Sequence, residues 1–403
     1  MRYRWIALAI SCLSAVVAAG VLRPRYGGTL RVETSAGPKI GATENPAATP
    51  FAGQIYETLV HCDSHGEMKP WLATAWTHDA AMGKWIFSAR KNVVLPNGTL
   101  WTPGEDILAV PDTKPLDEIL VEASLQNKAV AESGAFRISN QRPGEFIRLV
   151  ANENYWGGRP FLDSVEIQMG RTRHDQLLDF ELGKADVVEA EITDIKALKQ
   201  PNVVVQVSKP RETIALIFEN AKISDPIRQA VALSIDRSSM QRVMLDKQGE
   251  VSGALLPQWI SGYAFLFPTA RDVARAKDLA PPGATLSLCE DPRDRVLRSL
   301  VDRIAVDVSQ SGIAVRTAIS ACDADLVRLP IRSVNPQQAL LSLASELRVS
   351  APAWGPPFEM ERELLHDYRI VPLFQFPFVY ALRPNVKNWS AQGDLADVWL
   401  EEN

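Results

Sequence analysis

The densest set of potential ligands and nucleophiles in the sequence is His61-Cys62-Asp63-Ser64-His65-Gly66-Glu67-Met68. Imidazole, thiolate, carboxylate and thioether donors at this density are soft and borderline ligands for a transition metal. The same stretch contains Asp-Ser-His-Gly, whose residue types make an ordinary turn, and the turn is the reading adopted. His78, His174 and His366 stand apart, and no nucleophile elbow, phosphate loop or metalloprotease motif accompanies the histidines. No catalytic residue, resident metal or cofactor is therefore assigned, and an enzyme is not expected.

Composition narrows the class further. At 403 residues the chain is long enough for two lobes with separate cores. It is 46% apolar and 23% charged, ordinary for a globular protein. A net charge of −5 offers no basic face for nucleic-acid phosphates, so no nucleic-acid partner is expected. Arg2 and Arg4 precede an apolar run from Trp5 to Val17, and Val17-Ala18-Ala19-Gly20 supplies a small-residue cleavage site. Residues 1–19 thus read as a secretory signal peptide. The alternative is an uncleaved anchor, since Trp5 to Leu22 is nearly long enough to span a bilayer. Export places the later cysteines, Cys62, Cys289 and Cys322, in an oxidising compartment where two can pair and one is left over.

The elements that would position these groups follow from periodicity and capping. Gly27-Gly28 opens a half-buried strand through Thr34, and Phe51 to Val60 is read as a helix with Ile55, Leu59 and Val60 on one side. Trp85 to Arg90 alternates as a strand leading into the tight-turn pair Asn97-Gly98. Strands are expected at Phe146–Val150, Val165–Met169, Ala185–Val188 and Ile214–Phe218, with a helix from Thr172 to Leu182 stopped by Gly183. Asp225-Pro226 and Asp291-Pro292 each carry the residues that cap and open a helix. After the second come Val296, Leu297, Leu300, Val301 and Ile304 as a buried face, with Gly312 at the end. Thr285–Cys289 and Ile313–Ile319 flank that helix as a parallel pair with a right-handed crossover. Both strands end on one edge of the sheet, which brings Cys289 and Cys322 near each other, as a disulfide or as two separate thiols.

These segments, in this order, resemble the family 5 extracellular solute-binding proteins, the dipeptide, oligopeptide and nickel receptors of ABC importers. The resemblance is carried by Gly27-Gly28-Thr29-Leu30, Tyr56-Glu57-Thr58-Leu59-Val60, Pro70-Trp71-Leu72-Ala73 with Trp76, and Trp85-Ile86-Phe87 with Arg90-Lys91. It continues through Asn97-Gly98-Thr99, Gly104-Glu105-Asp106, Ser133-Gly134-Ala135-Phe136 and Asn154-Tyr155-Trp156-Gly157-Gly158-Arg159-Pro160. Ile227-Arg228-Gln229-Ala230, Ser234-Ile235-Asp236-Arg237, Leu255-Leu256-Pro257 and Pro372-Leu373 complete it. Two stretches, between Asp106 and Gly134 and between Asp325 and Pro372, are shorter than in the family.

The resemblance implies an α/β, two-lobed periplasmic-binding-protein-like fold (type II, cluster C-like) with mixed sheets and an interlobe cleft. It divides the chain into a first lobe at 27–255, with a truncated small subdomain at about 45–133, a second lobe at 256–368, and a return segment at 369–403. Lobe crossings are expected near 253–268 and 366–374. Such a protein is expected to be a monomer that captures a small solute, such as a peptide, and hands it to a membrane ABC permease outside the cytoplasm. The alternative is an envelope scaffold or sensory protein whose cleft has degenerated. Trp259 and Tyr263 are the expected cleft aromatics. Glu33, Thr34 and Ser35, just past the first strand, and Trp354 in a proline-rich loop are further expected contacts. Gln375, a lone amide among apolar neighbours, needs a partner from either ligand or backbone.

Overall fold

The computed structural model describes residues 23–35, 51–104, 108–125, 133–219, 223–263, 268–390 and 395–402. The signal peptide and the anchor alternative both lie outside them, as do Glu105 and Asp106. Among the described residues no helix is long and apolar enough to cross a membrane.

Sixteen strands position the site. They are β1 (Thr29–Glu33), β2 (Val60–Cys62), β3 (Met68–Pro70), β4 (Ala73–Asp79), β5 (Lys84–Ala89), β6 (Ala109–Pro111), β7 (Phe136–Arg142) and β8 (Phe146–Ala151). They continue with β9 (Ser164–Gln168), β10 (Val187–Ala190), β11 (Val204–Phe218), β12 (Glu250–Val251), β13 (Thr285–Cys289), β14 (Ala314–Ala318), β15 (Ala324–Pro330) and β16 (Ile370–Leu382). One mixed sheet runs β14-β13-β15-β11-β16-β10-β1-β9-β8-β7, with β12 added on β16. β13 and β14 pair in parallel, Thr285 opposite Ala314, as their alternation and the intervening helix Arg295–Ser309 require.

Separate apolar clusters cover the ends of this sheet. Leu30, Val32, Phe136, Leu149 and Val165 pack with Trp389, Leu395 and Val398, so the C-terminal segment returns to the first strands. At the other end Leu216, Phe218, Ala230, Val231 and Ile235 share a cluster with Leu286, Leu300 and Ile304. Residues on both sides of 255/256 share this cluster.

A smaller unit holds β2 to β6 and the helix Leu116–Leu125 around Leu59, Val60, Leu72, Phe87 and Ile119. Its link to the main sheet is Glu57. This buried carboxylate accepts hydrogen bonds from Trp71 Nε1 (2.9 Å), Tyr155 Oη (2.9 Å) and Trp156 Nε1 (2.8 Å). Arg90 lies over the Trp156 ring at 4.0 Å and donates to Trp71 O at 2.9 Å. Residues from four of the recognisable sequence motifs thus serve one structural junction.

Several local expectations are corrected. Phe51–Val60 is not a helix: only Ala52–Gln54 forms a 3₁₀ turn, and Val60 begins β2. Phe51 has a left-handed φ of 65°, and pairing of Val60 with Pro70 takes the backbone that a helix would need. β10 begins at Val187, not Ala185, because the preceding Asp186 carboxylate accepts from the Arg31 backbone and guanidinium at 2.7–2.9 Å. Ser224, not Asp225, is the N-cap residue of Asp225–Ser234. Asp291-Pro292 makes a turn, with Asp291 Oδ1 accepting from Arg293 N at 2.9 Å, and the helix waits for Asp294, which caps Leu297 N at 2.9 Å. Local side-chain bonding of this kind competes with helical continuation.

Candidate functional site

The two ends of the sheet are joined by β11 and β16, both long enough to belong to each. β16 pairs with β11 along its length, from Val204 opposite Leu382 to Ile217 opposite Ile370, and its 379–382 end also pairs with β10, Val187 opposite Leu382. Their ladder breaks register between Val207 and Pro210 and again between Pro210 and Glu212. β11 passes from the β10 side of the sheet to the β15 side around 207–213, and β16 does so around 375–379.

Around this crossing lies a lattice of buried charge. Arg328 on β15 donates to Asp294 (Nε, 2.6 Å), Glu212 (Nη1, 2.8 Å) and Glu191 (Nη2, 2.9 Å). Glu191 also receives Arg173 Nη1 at 2.7 Å. Arg173 and Glu191 belong to the β1 end of the molecule, Asp294 and Arg328 to the β13 end, and Glu212 to the crossing strand. A second ion pair, Arg295 to Asp194 at 3.3 Å, spans the same gap. Burial works against the Arg328 charge, but Glu212, Glu191 and Asp294 outweigh it and hold its pKa well above the ordinary guanidinium value.

Arg211, next to Glu212, is treated differently. It is 8% exposed, its Nη1 is buried without a hydrogen-bond partner, and it makes no ion pair among the described residues. Its surroundings are the Trp259 ring, 5.8 Å from its guanidinium carbon, with Cys62 and Tyr380. Burial lowers the Arg211 pKa, and it raises those of the Cys62 thiol and the Tyr380 phenol, leaving both neutral near pH 7.

The hairpin of β2 and β3 closes over this point. Its turn is held by the Asp63 carboxylate, which accepts from His65 N (2.8 Å) and Glu67 N (3.0 Å), while Gly66 takes a φ of 88°. His61 stacks on Trp71 at 4.9 Å. Asn335 Nδ2 donates to Gly66 O at 3.1 Å, so the turn rests on the segment that opens the helix Pro336–Glu346.

The expected contact residues do not gather at one place. Glu33 is buried, with Oε2 unpartnered, and burial plus Asp179 pushes its carboxyl up to about 7 against the pull of Arg171 at 3.8 Å. Thr34 is buried, its backbone tied to Gln168 and Arg171. Ser35 donates its N–H to Glu189 Oε2 at 2.8 Å and its hydroxyl to the same oxygen. Trp259 Nε1 donates to Pro210 O at 2.8 Å, which places it at the crossing. Tyr263 hydrogen-bonds the buried Glu361 and stacks edge-on against Phe358 at 5.8 Å. Trp354 is half-buried. Gln375 gives its amide to Ala254 O at 3.2 Å, so backbone supplies its partner.

Arg211 and Arg328 were not singled out in the sequence. The signal available for them was the charged run Lys209-Pro210-Arg211-Glu212 interrupting two apolar stretches that form one strand.

Cys289 and Cys322 are joined by a disulfide, with Cα atoms 5.4 Å apart. A cavity of about 600 Å³ opens beside it, lined by Asp291, Asp294, Asp325 and Arg328 among others, and none of the seven expected contact residues lines it. With Asp325, the two cysteine sulfurs form a group of potential metal ligands within 4.8 Å, but both sulfurs are committed to the disulfide.

This architecture is that of type II periplasmic binding proteins. Residues 107–281 match the model of the bacterial extracellular solute-binding proteins, family 5 Middle. The nickel-binding periplasmic protein of Escherichia coli (strain K12) is 22% identical over 406 residues, covering 85% of this chain and 75% of that protein. Among solved structures, the oligopeptide-binding protein AppA of Bacillus subtilis with a nonapeptide has a TM-score of 0.78 at 16% identity, covering 94% of this chain and 100% of that one. The periplasmic binding protein DppA of Helicobacter pylori with peptide STSA has a TM-score of 0.76 at 17% identity, covering 94% and 99%. The chain is thus similar in its middle segment to the family 5 bacterial extracellular solute-binding proteins, and in fold to the solved binding proteins.

Proposed function

We propose that this chain captures a small peptide or a metal chelate between two lobes that meet at β11 and β16, and delivers it to a membrane ABC permease. The carrying observation is that groups from both ends of the sheet converge on the crossing strands. Arg328 bridges Glu191 and Asp294, and the hairpin turn reaches Asn335. Lobes joined by two strands with broken register can hinge there, and solute binding supplies the energy of closure. The names of the relatives, nickel-binding and oligopeptide-binding, support the solute classes. In this reading the protein is an exported monomer working in the periplasm or its equivalent.

A thermal-shift screen of the chain from Gly20 onward against peptides, amino acids, sugars and metal chelates tests the proposal. A receptor gains about 2.7 kcal/mol at a hundredfold excess over Kd. A saturable rise in Tm with one class is expected; a flat response from folded, ligand-free protein sinks the reading in favour of an envelope scaffold or sensory role.

A further inference from the structure

Among the described residues Arg211 is a cation enclosed by the fold without an ion-pair partner. A guanidinium stays ionised in a protein, and an unpaired buried ion costs several kcal/mol. The other deeply buried arginines avoid this cost. Arg328 has three carboxylates, Arg173 has Glu191, and Arg228 has the carbonyls of Ile223 (2.5 Å) and Asp367 (2.8 Å). Arg237 is satisfied by the carbonyls of Pro372 and Ala232 at 3.1–3.2 Å. Arg211 has neither kind of partner among the described residues, although its surroundings are well defined. Glu212, the adjacent carboxylate, is committed to Arg328. Glu189 is committed to Ser35. Cys62 and Tyr380 are neutral and bring no charge.

Location adds to the argument. Arg211 sits in the irregular stretch of β11 where the lobes cross, beside Trp259, and under a hairpin held by the contact of Asn335 with Gly66 O. That hairpin and Trp259 together leave Arg211 8% exposed. A planar fork of donors in such a position matches a carboxylate bidentately.

We infer that Arg211 is the anchor for a carboxylate on the captured solute, gripped as the β2–β3 hairpin closes. This rests on the solute-capture reading and narrows it to carboxylate-bearing solutes. The Trp259 ring would lie beside the bound group, and its N–H stays on Pro210 O.

The test titrates the full mature chain and its Arg211→Met and Arg211→Lys variants, with Tm and calorimetric Kd as readouts. The probes are trialanine, trialanine amide, the nickel complex of L-histidine, and maltotriose. For wild type, a carboxylate probe is expected to bind, with the amide or neutral probe weaker by about tenfold or more, the worth of a charged hydrogen-bonded pair. Arg211→Met is expected to keep or raise the ligand-free Tm and to lose that preference; Arg211→Lys keeps part of it. If a probe binds wild type and Arg211→Met equally, the anchor assignment falls and solute capture stands. A ligand-free Tm that drops in Arg211→Met also overturns it, by showing that Arg211 stabilises the fold itself. No binding of any probe to wild type counts against solute capture, and the anchor falls with it.

Discussion

Arg328 and Arg211 lie on neighbouring strands of one sheet, flank the same Glu212, and are both nearly buried, yet the fold surrounds them in opposite ways. Arg328 is fixed by three carboxylates drawn from the turn just after β10, from β11 and from the cap of Arg295–Ser309. Arg211 is enclosed by a tryptophan ring, a thiol and a phenol. A buried ion pair adds little net stability over an apolar substitute, but removing one partner leaves the other charges stranded. Arg328 thus reads as part of the framework that sets how the lobes meet. Arg211 reads as a group whose partner comes from outside the chain.

The largest expected effect tests the framework half. Arg328→Met strands Glu191, Glu212 and Asp294 and should cost about 3–5 kcal/mol in urea unfolding. Arg211→Met should leave ligand-free stability unchanged or raise it by about 1–2 kcal/mol. A similar loss in both variants would erase the distinction between the two arginines.

The next effect probes the hairpin that covers Arg211. Gly66 has a φ of +88°, and a Cβ there would lie 2.7 Å from Val334 O. Gly66→Ala should therefore cost about 1–3 kcal/mol in backbone strain and push the hairpin off its seat. The free thiol of Cys62, half-buried on β2, reports this directly. Its alkylation should accelerate in Gly66→Ala and be unchanged in Arg328→Met at temperatures where that variant is folded. Equal rates in wild type and Gly66→Ala would mean that the hairpin does not control access.

The smallest effect concerns Glu33, a buried carboxyl whose Oε2 lacks a hydrogen bond and whose nearest cation, Arg171, is 3.8 Å away. Burial and Asp179 raise its carboxyl to about 7 from an ordinary value of 4.5, with Asp175 adding and Arg171 and Lys184 opposing. The folded state then holds a proton that the unfolded state has released, so stability falls as pH rises through this window. Glu33→Gln removes the ionisation. Its Tm relative to wild type should rise between pH 4.5 and 7 and level off above; a constant difference would show that Glu33 ionises normally.

Much of the framework was legible in the residues. Alternation at Thr285–Cys289 and the apolar stripe from Val296 to Ile304 specified a strand, a helix and their burial, because period and capping are local properties. The Glu57 junction was readable as motifs but not as a junction, since Trp71, Tyr155 and Trp156 converge only in space. Phe51–Val60 failed because long-range pairing overrode an apolar spacing that suited a helix equally well.

The site was less legible. Trp259 could be placed near the lobe crossing by its neighbours, while Tyr263, with the same credentials, is taken up by Glu361. Sequence determined the strand–helix–strand unit from Thr285 to Ala318 and the turn at Asp63-Ser64-His65-Gly66, because those depend on residue type and short spacing. Only the tertiary structure decided which buried charges are paired. A salt bridge or its absence depends on strands more than a hundred residues apart in the chain: Arg328 has every donor group used, while Arg211 Nη1 is buried without a partner among the described residues.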